Sequence, residues 1–207
     1  SVGNSESDSD SDTGISVDKN KDYRGTYIEI SNNSKVSATN GWGIYHPQDG
    51  VLVIEDEASI KGITGIEMRA GTLELLGGTV ESTKTVNTFE SNANGNGPTT
   101  KGVGIAIVQH SSKLEVDVDI IDGDVKGYYA VYEKNLQNND DESVAKVDIS
   151  ISGGNLETTG TITGTADAPS PVFSENKEDF IIGGTFKQKV DSKFVKDGYT
   201  KDETTGE

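Results

Sequence analysis

The sequence predicts an all-β protein, a right-handed parallel β-helix of about five coils with little helix, and three observations carry that prediction. Hydrophobic residues make up only 31% of the 207 residues, against roughly 45–50% counting Gly in ordinary globular domains, so the core must be thin. Glycine is abundant, at 25 residues, as a chain that turns a corner every few residues requires. The third observation is an internal repeat of short apolar segments ending in Gly.

The chain opens on Ser5-Glu6-Ser7-Asp8-Ser9-Asp10-Ser11-Asp12, which has no apolar residue to bury and reads as a linker covering 1–15. Residues 16–200 read as one β-helix domain with a C-terminal cap, and 201–207 as a polar tail. Within the domain, alternations such as Tyr27-Ile28-Glu29-Ile30 and Val51-Leu52-Val53-Ile54 are bounded by Asn, Gly, Asp and Ser, the pattern of strands separated by turns. No window of a dozen residues carries a 3.6-residue period, so helices are expected to be scarce.

Two columns of the repeat appear when the segments are superposed. The first holds Gly43-Ile44-Tyr45, Gly65-Ile66-Glu67, Gly104-Ile105-Ala106, Ala130-Val131-Tyr132 and Pro171-Val172-Phe173. The second holds Leu75-Leu76-Gly77-Gly78, Ile120-Ile121-Asp122-Gly123, Ile151-Ser152-Gly153-Gly154 and Ile181-Ile182-Gly183-Gly184. The 22-residue step from Gly43 to Gly65 is a bare unit of three strands, and longer steps contain polar insertions at Thr83 to Lys101, Asn135 to Asp141 and Thr159 to Ala168. These insertions are expected at a single corner of the coil. Such a unit cannot bury its apolar face alone and must stack on the next. A β-sandwich is the alternative, but it predicts irregular hairpin spacing.

The Ile181-Ile182-Gly183-Gly184-Thr185-Phe186 segment, followed by Phe194-Val195-Lys196-Asp197-Gly198-Tyr199, resembles the pectate-lyase-like β-helix repeats of surface proteins in Gram-positive bacteria. The resemblance covers about residues 23 to 200. It implies that Gly184, Phe186 and Tyr199 mark a C-terminal cap, and that the chain is an extracellular module of a cell-surface or secreted protein. It does not imply an activity. The same family likeness brings polysaccharide lyases as the alternative, which use calcium, clustered Asp and a basic Arg.

Charge narrows the partners. With 18 basic and 35 acidic residues and a net charge of −17, the chain repels nucleic acid and anionic lipid. There is no Cys, hence no disulfide or thiolate–metal site. No apolar run is long enough to span a bilayer. The expected partner is a host or bacterial glycan or surface protein, met by a monomer.

No catalytic residue is assigned. Arg24 and Arg69 are the only arginines, and Arg69 reads as a surface residue pairing with Glu67. His46 and His110 read as corner residues without a visible partner, and no Ser sits in a nucleophile elbow. A binding or stalk module is therefore expected. Tyr45, Tyr132 and Phe173 share the outward first-column position; they are either a surface for stacking on sugar rings or a ladder that covers neighbouring coils. Trp42 is either a ligand contact or an N-terminal cap.

A last candidate lies in Val116-Asp117-Val118-Asp119-Ile120, where alternation points both Asp outward. The repeat aligns Asp117 with Thr72 and Asp148, and Asp119 with Glu74 and Ser150. Like charges about 4.8 Å apart repel. Either solvent screens them, or a calcium ion is held by Glu74, Asp117, Asp119 and Asp148.

Overall fold

The computed structural model describes residues 25–84, 90–92, 100–159 and 170–200. The expected linker, residues 16–24 with Arg24, the tail 201–207 and parts of two insertions lie outside the described residues. In chain order the strands are β1 (Thr26–Ile30), β2 (Lys35–Ser37), β3 (Trp42–His46), β4 (Gly50–Ile54), β5 (Ser59–Gly62), β6 (Thr64–Met68), β7 (Gly71–Ser82), β8 (Glu90–Ser91), β9 (Thr100–Lys101), β10 (Val103–Ile107), β11 (Val116–Gly127) and β12 (Tyr129–Glu133). The short helix α1 (Asp141–Val144) precedes β13 (Val147–Ile151), β14 (Asn155–Thr158), β15 (Val172–Ser174) and β16 (Thr185–Phe186), and a 3-10 turn spans Ser192–Phe194. Helix is scarce among the described residues, as expected.

Nearly all pairing is parallel. One sheet runs β1-β4-β7-β11-β14-β16, with β2, β5 and β13 attached, and a second runs β15-β12-β10-β6-β3. The chain visits the two sheets in turn, adding two short strands or one long bent strand to the first and one strand to the second. The exception is β8 with β9, an antiparallel pair inside the first insertion.

The register matches both columns. In the second sheet Ile44 pairs with Ile66, Ile66 with Ile105, Ile105 with Val131 and Val131 with Val172. In the first, Leu75 pairs with Ile120 and Ile120 with Ile151, which bridges to Ile181. All these side chains enter one apolar cluster, Ile44 as a half-buried member at the edge strand. Each inward side chain thus packs on its equivalent in the next repeat.

The Gly column has a steric cause. Gly78 and Gly123 take φ of +78° and +102°, a region that L side chains rarely adopt. A Cβ on Gly78 would stand 2.5 Å from the Ala58 carbonyl oxygen, and one on Gly123 would stand 2.9 Å from those of Gly77 and Gly78. Backbone therefore rests on backbone at this turn, which lets the 12-residue strands β7 and β11 bend without breaking.

Three expectations are corrected. The insertions do not share a corner: Thr83–Lys101 and Thr159–Ala168 lead from the first sheet to the second, but Asn135–Asp141 leads from β12 back to β13. Counting intervals measures an insertion's length and leaves its corner undetermined. At the C-terminal end the buried closure is made by Phe180, Val190 and Phe194, with the Phe180 and Phe194 rings 5.3 Å apart. Phe186, on the terminal strand β16, packs half-buried against this cluster as a cap residue would, and Gly184 also belongs to the Gly column, but Tyr199 is 51% exposed. Finally, Arg69 is buried, at 4% exposure, and His46 is the buried last residue of β3.

Candidate functional site

Five of the eleven described aromatic side chains, Trp42, Tyr45, Tyr129, Tyr132 and Phe173, sit on strands of the second sheet, grouped at the side turned away from the main core. Along it, Tyr45 pairs with Glu67, Glu67 with Ala106, Ala106 with Tyr132 and Tyr132 with Phe173. The expected aromatic ladder is thus interrupted in the middle. It becomes two aromatic groups separated by a buried carboxylate and a methyl.

The group on β10, β12 and β15 is a small core of its own. Val103, Ala106, Val108, Tyr132 and Leu136 are buried there, with Tyr129 and Phe173 packed against them. Tyr132 and Phe173 stack at 5.1 Å and 18°, and Tyr129 lies 5.4 Å from Tyr132 and 5.6 Å from Phe173. Burial pushes the Tyr132 hydroxyl up to about 12, against the lowering effect of its hydrogen bond with Ser91 of β8. Tyr132, at 3% exposure, therefore glues the sheet rather than facing a ligand. That corrects its place among the sugar-stacking residues, and Phe173 is half-covered beside it.

The group on β3 is different. Trp42 and Tyr45 are three residues apart on the edge strand of the sheet, their rings 4.7 Å apart and tilted by 40°. Tyr45 is 38% exposed and Trp42 is half-buried. The indole Nε1 donates to Glu67 Oε2 at 2.6 Å, and Arg69 Nη1 stands 3.6 Å from Glu67 Oε1. Glu67 is completely buried, and a buried carboxylate is tolerable when a cation and a charge-assisted donor satisfy it. Trp42 therefore lies on the edge strand of the second sheet, fixed by Glu67, a place that suits both of its readings, end cap and ligand contact. What remains is a rigid indole with an exposed phenol beside it.

The two histidines stand apart from this face. His46 lies in register with Met68 of the core, and its Nδ1 is 2.9 Å from the Ala70 carbonyl oxygen. His110 Nδ1 accepts from the Ser112 backbone N–H at 3.1 Å.

On the first sheet the acidic row is in the expected register. Asp117 lies between Thr72 and Asp148, and Asp119 lies between Glu74 and Ser150. Val116, Val118 and Ile120 are buried between them, so both Asp side chains do project outward. Burial, followed by the charges of Asp119, Asp148, Glu115 and Glu74, raises Asp117 to about 6. Asp119 is raised by burial and then by Glu74 and Asp148. Among the described residues no three carboxylate or imidazole side chains are grouped as a metal would require. The four side chains named for calcium lie on the adjoining strands β7, β11 and β13 without forming such a group.

No protein-family model, curated protein or solved structure matches the chain. Among the described residues no helix is long and apolar enough to cross a membrane.

Sequence reasoning missed two parts of the candidate site. Glu67 entered only as a partner for Arg69, whereas it organises Trp42 as well. Tyr129 packs with Tyr132 and Phe173, a role whose one signal in sequence is the Tyr128-Tyr129 doublet at the start of a strand.

Proposed function

We propose that the chain is a non-enzymatic carbohydrate-binding module of a bacterial surface protein, built as a right-handed parallel β-helix of about five coils. Supporting the architecture are the alternating visits to two parallel sheets and the in-register stacking of equivalent residues, with handedness following the strong preference of parallel crossovers. The observation that carries the function is the Trp42–Tyr45 pair. A sugar ring offers an apolar face and polar edges, and it stacks on an aromatic surface held in fixed orientation. Here Glu67 fixes the indole, so little ordering entropy opposes binding. The net charge of −17 disfavours uronic or sialic acids and leaves neutral saccharides as the ligand class.

Polysaccharide cleavage finds less support. Arg69 is buried against Glu67, while the acidic row lies on the other sheet, so base and acids do not share a cleft. A glycan array tests the reading: the folded chain binds neutral oligosaccharides, and Tyr45→Ala loses that binding while its melting temperature is kept. A chain that binds nothing on the array is a spacer, and the proposal then fails.

A further inference from the structure

We infer that Asn40–Gly41, the connection that delivers the chain into the Trp42 strand, is a site of spontaneous backbone modification in the folded protein. Asn followed by Gly is the pair in which the Gly main-chain nitrogen most easily reaches the Asn side chain, because Gly has no Cβ in the way. Asn40–Gly41 is the only such pair among the described residues.

The local structure favours the reaction in three respects. Asn40 is exposed, in a bend between β2 and β3. The Gly41 carbonyl is engaged, accepting from the Ile63 N–H at 2.8 Å, but among the described residues nothing accepts from the Gly41 N–H. The space around Gly41 is open: a Cβ built there meets no atom within 4 Å, whereas Gly43 and Gly62 on either side of this junction would meet backbone at 2.6 and 2.2 Å. Gly41 is thus a glycine that packing does not require.

In the reaction the Gly41 nitrogen attacks Asn40 Cγ, a C–N bond forms, the amide C–N bond breaks and ammonia leaves with the displaced proton. Water then opens the cyclic imide at either carbonyl, giving aspartate or isoaspartate, and no oxidant or reductant is involved. The product adds one negative charge two residues before Trp42. In the isoaspartyl form it also inserts a methylene into the main chain. Both changes fall on the strand entry that sets the indole against Glu67, so modified molecules have a displaced Trp42.

The test is peptide mapping by mass spectrometry on the full folded chain, held at mildly alkaline pH and sampled over weeks. Asn40 is expected to become a mixture of aspartate and isoaspartate at least about tenfold faster than Asn135, whose side chain bonds to Asn139. Gly41→Ala should slow conversion by about tenfold and leave the melting temperature unchanged. Conversion of Asn40 no faster than that of Asn135, or an undiminished rate in Gly41→Ala, overturns the inference.

Discussion

Asp117 stands on the outer side of β11 with Asp148 beside it on β13 and Asp119 two residues on. Because its folded value is raised from 3.8 to about 6, the fold disfavours its charged form. The resulting contribution to stability is fully present below pH 3.8 and is lost as pH rises through about 6. Asp117→Asn should therefore raise stability at pH 7 by about 1 kcal/mol, a figure discounted for solvent screening of a half-exposed group. It should also flatten the profile of melting temperature between pH 4 and 7. A calcium ion on the row would hold Asp117 ionised and cancel that slope, so an identical slope in calcium and in chelator is the expected result. Glu133 is the opposite case, a buried carboxylate fully engaged. Its Oε2 accepts from Ser174 Oγ at 2.6 Å and from the Glu175 and Asn176 N–H groups at 3.1 and 3.0 Å, and its Oε1 accepts from Asn176 Nδ2 at 2.8 Å. Glu133→Ala strands these donors and should cost about 2–4 kcal/mol in chemical denaturation, with Glu133→Gln retaining part of it. The acidic row was legible in sequence because it follows the strand period. The role of Glu133 was not, because its partners arrive some forty residues later along the chain and no local pattern announces them.

At the scale of elements, stability is shared between neighbours in register. Ile120 is fully buried between Leu75 and Ile151, so Ile120→Ala removes contacts to both adjoining repeats. The expected cost is about 2–5 kcal/mol, read from the denaturation midpoint at unchanged m-value; a loss below about 0.5 kcal/mol would place Ile120 outside the core. The columns were legible because apolar residue and Gly recur together, the one dictated by burial and the other by the backbone contact at Gly78 and Gly123. The insertions were legible only as polar lengths. Asn135–Asp141 contains a helix N-cap, in which Asp140 accepts from the Ser143 N–H, and Asp140 is held well below the carboxylate range by Lys113 and then Ser143. Lys113 comes from a different connection, so the pairing depends on where two loops meet.

For the whole molecule, sequence pattern reached the parallel all-β architecture because nearly every repeat obeys one rule, inward apolar residues and a turn at Gly. It reached the aromatic face only in part. Tyr45, Tyr132 and Phe173 do share a column, but exposure depends on what crosses over them, and Ser91 of the inserted pair meets Tyr132. Among the described residues the β3 edge sets an exposed phenol beside the fixed Trp42 indole, whereas on the opposite edge strand β15 Phe173 is half-covered against Tyr132. Trp42 is also the chain's sole tryptophan, so its emission reports on this one place. Titration of the folded chain with the neutral oligosaccharides retained on an array, followed by tryptophan fluorescence, is the most direct measurement. A saturable change in emission that disappears in Tyr45→Ala is predicted; oligosaccharide binding that leaves the emission of Trp42 untouched would contradict the assignment of the site.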